Sequence, residues 1–122
     1  MQQLPDKPPA SLEENASVEL LLPDAIALLE KDFATAGIDV QLSGKIIGDV
    51  FDLRDRIAEL VKKTGGPGAE TFYSLLYRAD VPESKVREAL NSAPSLPIET
   101  VIAELLIIRA LQRAFFRKKF SS

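Results

Sequence analysis

The amino-acid sequence predicts an all-α fold of four to five helices, arranged as a bundle or an orthogonal helical array, with a loose N-terminal tail. Apolar residues recur every three or four positions in several segments, the period of a helix with one buried face. Glycine and proline clusters separate these segments, above all at Gly65–Gly68. The chain has 122 residues, 46% of them hydrophobic, which is enough for one domain with one modest core.

The N-terminal sixteen residues differ in composition from the rest of the chain. They include Pro5, Pro8 and Pro9 among polar residues, which is typical of a loose tail. We therefore assign residues 1–16 to a flexible tail and residues 17–122 to a single helical domain. The tail lacks the apolar segment of a secretory signal, and charged residues interrupt the most apolar stretch, Val101 to Phe116. We expect a cytoplasmic protein with no membrane partner.

The first two helices are predicted from apolar stripes and from residues that favour helix ends. Pro23 suits the first position of a helix, where its missing N–H costs nothing. Gly37 is predicted to end this helix, and Ser43 to cap the next one. The stripe of the first helix contains Ile26, Leu29 and Phe33, and that of the second contains Ile46, Val50, Leu53, Ile57, Leu60 and Val61.

Three further helices follow the glycine-rich break. The third runs to about Ala79, and a corner at Asp80–Pro82 leads into a short fourth helix. Pro97 is predicted to open the last and longest helix, which runs to about Lys119 and ends in basic residues that favour the helix dipole. The expected core consists of Ile26, Leu29, Phe33, Ile46, Val50, Leu53, Ile57, Leu60, Phe72, Leu75, Leu76, Val86, Leu90, Val101, Ile102, Leu105, Leu106 and Leu111.

The composition disfavours most enzyme classes. The chain has no cysteine and no histidine, so it lacks the commonest acid–base residue, the strongest nucleophile and the usual nitrogen and sulfur metal ligands. We find no catalytic constellation and expect no enzyme, no cofactor and no metal site. The absence of disulfides is compatible with a reducing compartment.

Charge is distributed unevenly along the chain. Residues 1–60 carry 5 basic and 12 acidic side chains, whereas residues 61–122 carry 10 basic and 6 acidic ones, within a net charge of −3. The favoured interpretation is that two complementary halves pack together. The alternative is a basic C-terminal surface that binds an anionic partner.

Arg109 occupies an unusual place in the last helix. A helical wheel puts it near the middle of the face that carries Ile98, Val101, Ile102, Leu105 and Phe116. A charge on such a face must be paired, or must line a cavity or an interface. We favour an ion pair with Asp80 or Glu83, and the alternative is a contact with an anion or a partner.

The sequence from Leu75 to Leu90, LLYRADVPESKVREAL, resembles the helix-turn-helix of DNA-binding repressors. The resemblance implies packing positions at Leu75, Val81, Val86 and Leu90, and groove-facing positions at Glu83, Ser84, Lys85, Arg87 and Glu88. Asp80 stands where the turn usually has glycine, and two glutamates would face DNA phosphates. DNA binding through residues 75–90 is therefore the alternative function, and a nucleic-acid partner is disfavoured.

Two segments are similar to a group of short, mainly helical, uncharacterised bacterial proteins. These segments are FYSLLYRADVPESKVREAL (Phe72 to Leu90), with its Leu-Tyr-Arg-x-Asp-Val corner, and VIAELLIIRALQRAFFRKKF (Val101 to Phe120), a basic final helix. The resemblance implies bacterial origin and a self-contained helical fold, and it carries no activity or cofactor. It draws attention to Arg78, Asp80 and Arg109 as candidates for buried charges.

The last helix is apolar on more than one face, so either it crosses the centre of the fold or one side binds a partner. From this we predict a non-catalytic, helical protein-interaction module, with a homodimer through the last helix as one form of it. The predicted partner-binding residues are Ile107, Leu111, Arg113, Phe115, Phe116 and Arg117. The hypothesis fails if the protein is monomeric and its own chain covers these side chains.

Overall fold

The computed structural model describes residues 7–13, 15–40, 42, 49–63 and 70–120. Within these ranges the chain forms five α-helices and no strand, so the all-α prediction is confirmed. The last helix packs extensively against the first two and also contacts the fourth, and it therefore crosses the centre of the fold. The helices are α1 (Asn15–Thr35), α2 (Val50–Lys63), α3 (Glu70–Arg78), α4 (Glu83–Ser92) and α5 (Ile98–Phe120).

Helix α1 begins earlier than predicted and contains Pro23 in its interior. An interior proline costs about 3 kcal/mol, because it removes one helical hydrogen bond and crowds the preceding turn. The prediction that Pro23 opens the helix is wrong because an uninterrupted apolar stripe passes through it. The buried members of that stripe are Val18, Leu21, Ala25, Leu28, Leu29 and Phe33. Their packing outweighs the local preference of proline, whose own side chain is exposed.

Part of the N-terminal segment packs against the helices. Leu12 is buried in the core, and Pro9 is also buried. The Gln112 side chain donates a hydrogen bond from Nε2 to the carbonyl oxygen of Pro9, at 3.0 Å. The packed domain thus starts before residue 17, while residues 1–6 of the predicted tail lie outside the described residues.

Helix α2 begins at Val50, with Asp49 as its cap. The Asp49 carboxylate accepts a hydrogen bond from the backbone N–H of Asp52 at 2.9 Å, the arrangement of an N-cap with the third helical residue. The predicted cap Ser43 and the predicted core residue Ile46 lie outside the described residues. Within α2 the predicted stripe is confirmed, since Val50, Leu53, Ile57 and Val61 are buried and Leu60 is half-buried against the core.

The remaining core predictions are largely confirmed. Leu29, Phe33, Leu75, Leu76, Val86, Val101, Ile102, Leu106 and Leu111 are buried, and Ile26, Leu90 and Leu105 pack against the core from half-buried positions. The side chain of Phe72 lies outside the described part of the structure. Ile107 and Phe115 were not among the predicted core residues, and both are almost completely buried.

Helices α1 and α3 end in the same way. Ile38 donates its N–H to the carbonyl of Phe33 while Gly37 donates to Ala34, the pair of bonds that defines a Schellman motif. At the end of α3, Val81 and Asp80 donate to Leu76 and Tyr77 in the same pattern. Gly37 has φ of 88° and Asp80 has φ of 61°, so both occupy the left-handed region. Gly37 therefore ends its helix as predicted, and aspartate takes the corresponding role at the corner.

Ion pairs tie the acidic N-terminal half to the basic C-terminal helix. Arg113 lies 2.7 Å from Asp32, and Lys118 lies 3.5 Å from Asp24, so two cations of α5 face two carboxylates of α1. These contacts support the interpretation that the uneven charge serves packing within the chain. Asp32 is 5% exposed and is the buried charged residue of the described ranges.

Candidate functional site

One face of α5 remains uncovered toward its C-terminal end. Leu105, Ile108 and Gln112 are half-buried, whereas Phe116 and Phe120 are 43% and 75% exposed. These positions recur at intervals of three or four residues and therefore share one side of the helix. Exposed aromatic rings leave apolar area in contact with water, which makes this side a candidate interaction surface.

The two exposed rings form an ordered pair. The ring centroids of Phe116 and Phe120 lie 6.2 Å apart, and their planes differ by 3°. Phe116 also meets the edge of the buried Phe115 ring at 5.2 Å, which connects the pair to the core. The pair therefore forms an apolar platform at the end of α5 that is in contact with the core through Phe115.

Two cations, Arg117 and Lys119, flank this platform. Among the residues that the structure describes, neither Arg117 nor Lys119 forms an ion pair. Both side chains are exposed, and the Lys119 ammonium lies 5.4 Å from the centre of the Phe115 ring. We call the surface formed by Phe116, Arg117, Lys119 and Phe120 the aromatic–basic end of α5.

A groove lies beside the preceding turns of α5. It encloses about 450 Å³ between α5 and the corner that joins α3 to α4. The side formed by α5, which we call its floor, is lined by Leu105, Ile108, Arg109 and Gln112, and the walls are lined by Asp80, Val81, Pro82, Lys85 and, from the N-terminal segment, Ala10. Floor and walls thus both combine apolar side chains with polar or charged ones.

A polar network fixes the floor of this groove. The Arg109 guanidinium donates to the Asp80 carboxylate at 2.6 Å and, more weakly, to the side-chain oxygen of Gln112 at 3.4 Å. Gln112 in turn donates to Pro9. The ion pair expected for Arg109 is therefore present, with Asp80 rather than Glu83 as the acid. Asp80 is largely exposed and Arg109 about one third exposed, so neither is a buried charge.

The corner predicted to form a helix-turn-helix does contain two helices joined by a left-handed residue, Asp80. The exposed charges of α4 are paired within the helix. Arg87 lies 3.8 Å from Glu83, and Lys85 lies 3.6 Å from Glu88. Two basic and two acidic residues leave α4 without the positive field that attracts DNA. DNA binding through residues 75–90 stays a prediction that this charge arrangement disfavours.

The structure redistributes the predicted partner-binding residues. Ile107, Leu111 and Phe115 are at most 1% exposed and face the chain's own core, so they are unable to contact a partner in this fold. The prediction is wrong for these three because α1 and α2 cover the second apolar face of α5.

The other predicted positions lie nearer the surface. Arg113 forms an ion pair with Asp32, while Phe116 and Arg117 remain exposed. Arg78, proposed as a buried charge, is exposed and has no ion pair among the described residues. Only the C-terminal end of the predicted surface is therefore open to a partner.

Sequence reasoning missed Phe120 and Asp32. Phe120 follows Phe116 by four residues, and that spacing is the signal that places both rings on one side of the helix. Asp32 lies between Leu29 and Phe33 on the buried stripe of α1, a position at which a charge requires a partner. The pairing with Arg113 joins residues 81 positions apart, so no local pattern marks it.

No described helix combines the length and apolar character that a membrane span requires. The described residues also contain no group of three or more acidic side chains arranged to hold a metal ion. Comparisons with protein-family models, with curated proteins and with solved structures find no match to this chain.

Proposed function

We propose that this protein is a non-catalytic interaction module whose aromatic–basic end of α5 binds an acidic segment of another protein. The observation that carries the proposal is the stacked, exposed pair of Phe116 and Phe120 beside Arg117 and Lys119. Aromatic residues and arginine are enriched at interfaces, where the rings bury apolar area and the guanidinium pairs with carboxylates. The two cations select an acidic partner, since neither has an acid of its own among the described residues.

A second copy of the chain fits this surface poorly. In a symmetric dimer the same patch meets itself, so Arg117 and Lys119 of both copies come together. Like charges held at close range oppose such a contact. A different protein that presents carboxylates avoids this repulsion, and for that reason we favour it over the homodimer.

A nucleic acid also fits poorly, although aromatic rings stack on bases. Three of the five cations between residues 109 and 119 are already engaged with Asp80, Asp32 and Asp24. The two that remain would neutralise few phosphates and so release few counterions. For single strands, each phosphate contact contributes about 0.7 to the slope of log affinity against log salt concentration.

The direct test is fluorescence anisotropy with a labelled helical peptide that has leucines on one face and glutamates on the other. We expect binding that weakens with salt, and no comparable binding of the same peptide with lysine in place of glutamate. Phe120→Ser should weaken binding by about tenfold. Tyr77→Ser removes another exposed aromatic residue, 81% exposed on α3, and should leave binding unchanged.

Four outcomes overturn the proposal. Equal binding of both peptides removes the charge preference, and loss of binding in Tyr77→Ser removes the assignment to α5. Tighter, salt-sensitive binding of mixed-sequence duplex DNA that is lost in Arg87→Ala replaces the proposal with DNA binding through residues 75–90. Sedimentation equilibrium on the free protein tests the homodimer, and a dimer abolished by Phe120→Ser would make the second copy the occupant.

A cytoplasmic location and a bacterial origin belong to the same proposal. The cysteine-free composition supports a reducing compartment, and the resemblance of residues 72–90 and 101–120 to bacterial helical proteins supports the origin. Recovery of the tagged protein in a membrane or secreted fraction of its host would contradict the location.

A further inference from the structure

The partner's shape follows from the way the groove and the aromatic–basic end lie along one helix. We infer that the acidic segment is an amphipathic helix that extends along α5 from Phe120 to the groove at Leu105. The inference rests on the proposed function and adds the conformation, length and register of the bound segment. Three features of α5 support it: a continuous surface from the groove to the aromatic–basic end, the charge of that surface, and a backbone already hydrogen-bonded within the helix.

The groove and the aromatic–basic end lie on the same side of α5. Leu105, Ile108, Gln112, Phe116 and Phe120 follow one another at steps of three or four residues. At 1.5 Å per residue, the distance from Leu105 to Phe120 along the helix axis is about 22 Å. A bound helix of about 15 residues matches that length.

The groove supplies an anchor for apolar side chains at the far end of this surface. Leu105 and Ile108 are half-buried at its floor, while Val81 and Pro82 form an apolar wall. The volume of about 450 Å³ leaves room for side chains such as leucine or phenylalanine. An apolar side chain that enters the groove removes the remaining apolar area of Leu105 and Ile108 from water, so the groove favours an apolar anchor.

The surface carries more positive than negative charge. Residues 105–120 include five basic side chains and no acidic one, and Lys85 adds a cation at the groove wall, although it also pairs with a glutamate of α4. That exposed pair contributes little to stability, so Lys85 remains available to a partner. Asp80, the acidic residue of the groove lining, is paired with Arg109. A partner helix with carboxylates beside its apolar stripe therefore meets Lys85 at one end and the pair Arg117 and Lys119 at the other.

A helix fits this surface better than an extended peptide. An extended segment that binds by strand addition needs the edge of a sheet, and the described residues contain no strand. The backbone of α5 is already hydrogen-bonded within the helix over residues 105–116. A partner that satisfies its own backbone, as a helix does, needs side-chain contacts alone.

Methyl NMR of the full-length protein with the leucine–glutamate peptide tests the inference. We expect shifts at the methyl groups of Ile108 and Val81 together with shifts at the aromatic–basic end. Lys85→Glu should weaken binding about threefold, whereas Arg87→Glu, on the same helix and likewise paired with a glutamate but outside the groove lining, should have no effect. Thermal unfolding confirms that both variants fold.

The outcomes separate the inference from the proposed function. Shifts confined to the aromatic–basic end, with wild-type affinity in Lys85→Glu, overturn the helical register and leave the proposed function intact. Binding that involves neither region overturns both. A peptide that stays unfolded when bound, as judged by circular dichroism, overturns the helical conformation.

Discussion

The guanidinium of Arg113 lies 2.7 Å from the carboxylate of Asp32, and this ion pair joins α5 to α1 inside the fold. The Asp32 side chain is 7% exposed and that of Arg113 is 25% exposed. A pair so placed fixes the register of the two longest helices. It also removes Arg113 from the set of cations available to a partner.

Replacing Arg113 should therefore destabilise the fold. Arg113→Met leaves the Asp32 carboxylate buried without its partner, and we expect a loss of about 3 kcal/mol in the free energy of unfolding. Lys118→Met is the matched control, because its partner Asp24 is half exposed and such pairs contribute about 0.5 kcal/mol. Urea unfolding measures both variants, and equal losses would show that the Asp32 pair is not a buried one.

The effect of replacing Asp80 on stability should depend on its left-handed backbone as well as on its ion pair with Arg109. With φ of 61°, the position favours glycine, so Asp80→Gly gains backbone freedom while losing an exposed ion pair with Arg109. We expect Asp80→Gly to be as stable as the wild type within about 0.5 kcal/mol. Asp80→Ala loses the pair and keeps the strain, so it should be about 1 kcal/mol less stable than Asp80→Gly. Urea denaturation that ranks alanine at or above glycine would contradict the left-handed corner.

Gly37 offers a second test of the same motif, without an ion pair. A Cβ added at Gly37 meets no atom within 4 Å, so the cost of Gly37→Ala comes from the backbone alone. We expect a loss of about 1 kcal/mol, and a smaller loss for Gly37→Asn, because asparagine tolerates the left-handed region. Thermal unfolding of the two variants gives the comparison. Identical midpoints for wild type and Gly37→Ala would count against the Schellman ending of α1.

The orientation of α5 predicts that substitutions on its buried face lower stability strongly, whereas substitutions on its exposed face hardly change it. Leu111 is completely buried, so Leu111→Ala should cost about 2–5 kcal/mol of unfolding free energy. Phe120 is 75% exposed, and Phe120→Ser should change stability by less than about 0.5 kcal/mol. Chemical denaturation separates the two cases. A stable Leu111→Ala protein would restore the hypothesis that Leu111 faces a partner.

The sequence predicted most helix ends, because proline and glycine act locally. Gly37 and Pro97 stand beside ends of α1 and α5, and the stripe of α2 marks its buried face. The start of α1 differs from the prediction, because the buried apolar stripe that begins at Val18 outweighs the local preference of Pro23. Tertiary packing determines where α1 begins, and a short stretch of sequence does not reveal the energy of that packing.

The site was predicted only in part for a related reason. Helix α5 is apolar on two faces, and periodicity alone does not tell which face the rest of the chain covers. The structure turns Ile107, Leu111 and Phe115 inward and leaves Phe116 outward. The pairing of Arg109 with Asp80 was predictable, because a charge within an apolar stripe calls for a nearby acid.

The most direct test of the central claim compares two double charge reversals that change the net charge equally. In Arg117→Glu with Lys119→Glu, the aromatic–basic end becomes acidic. In Lys62→Glu with Arg87→Glu, two exposed cations elsewhere are reversed. Calorimetric titration with the leucine–glutamate peptide should show that the binding affinity falls by about 30-fold or more in the first variant and by less than about threefold in the second. Equal losses would contradict the claim, because net charge rather than the end of α5 would then govern binding.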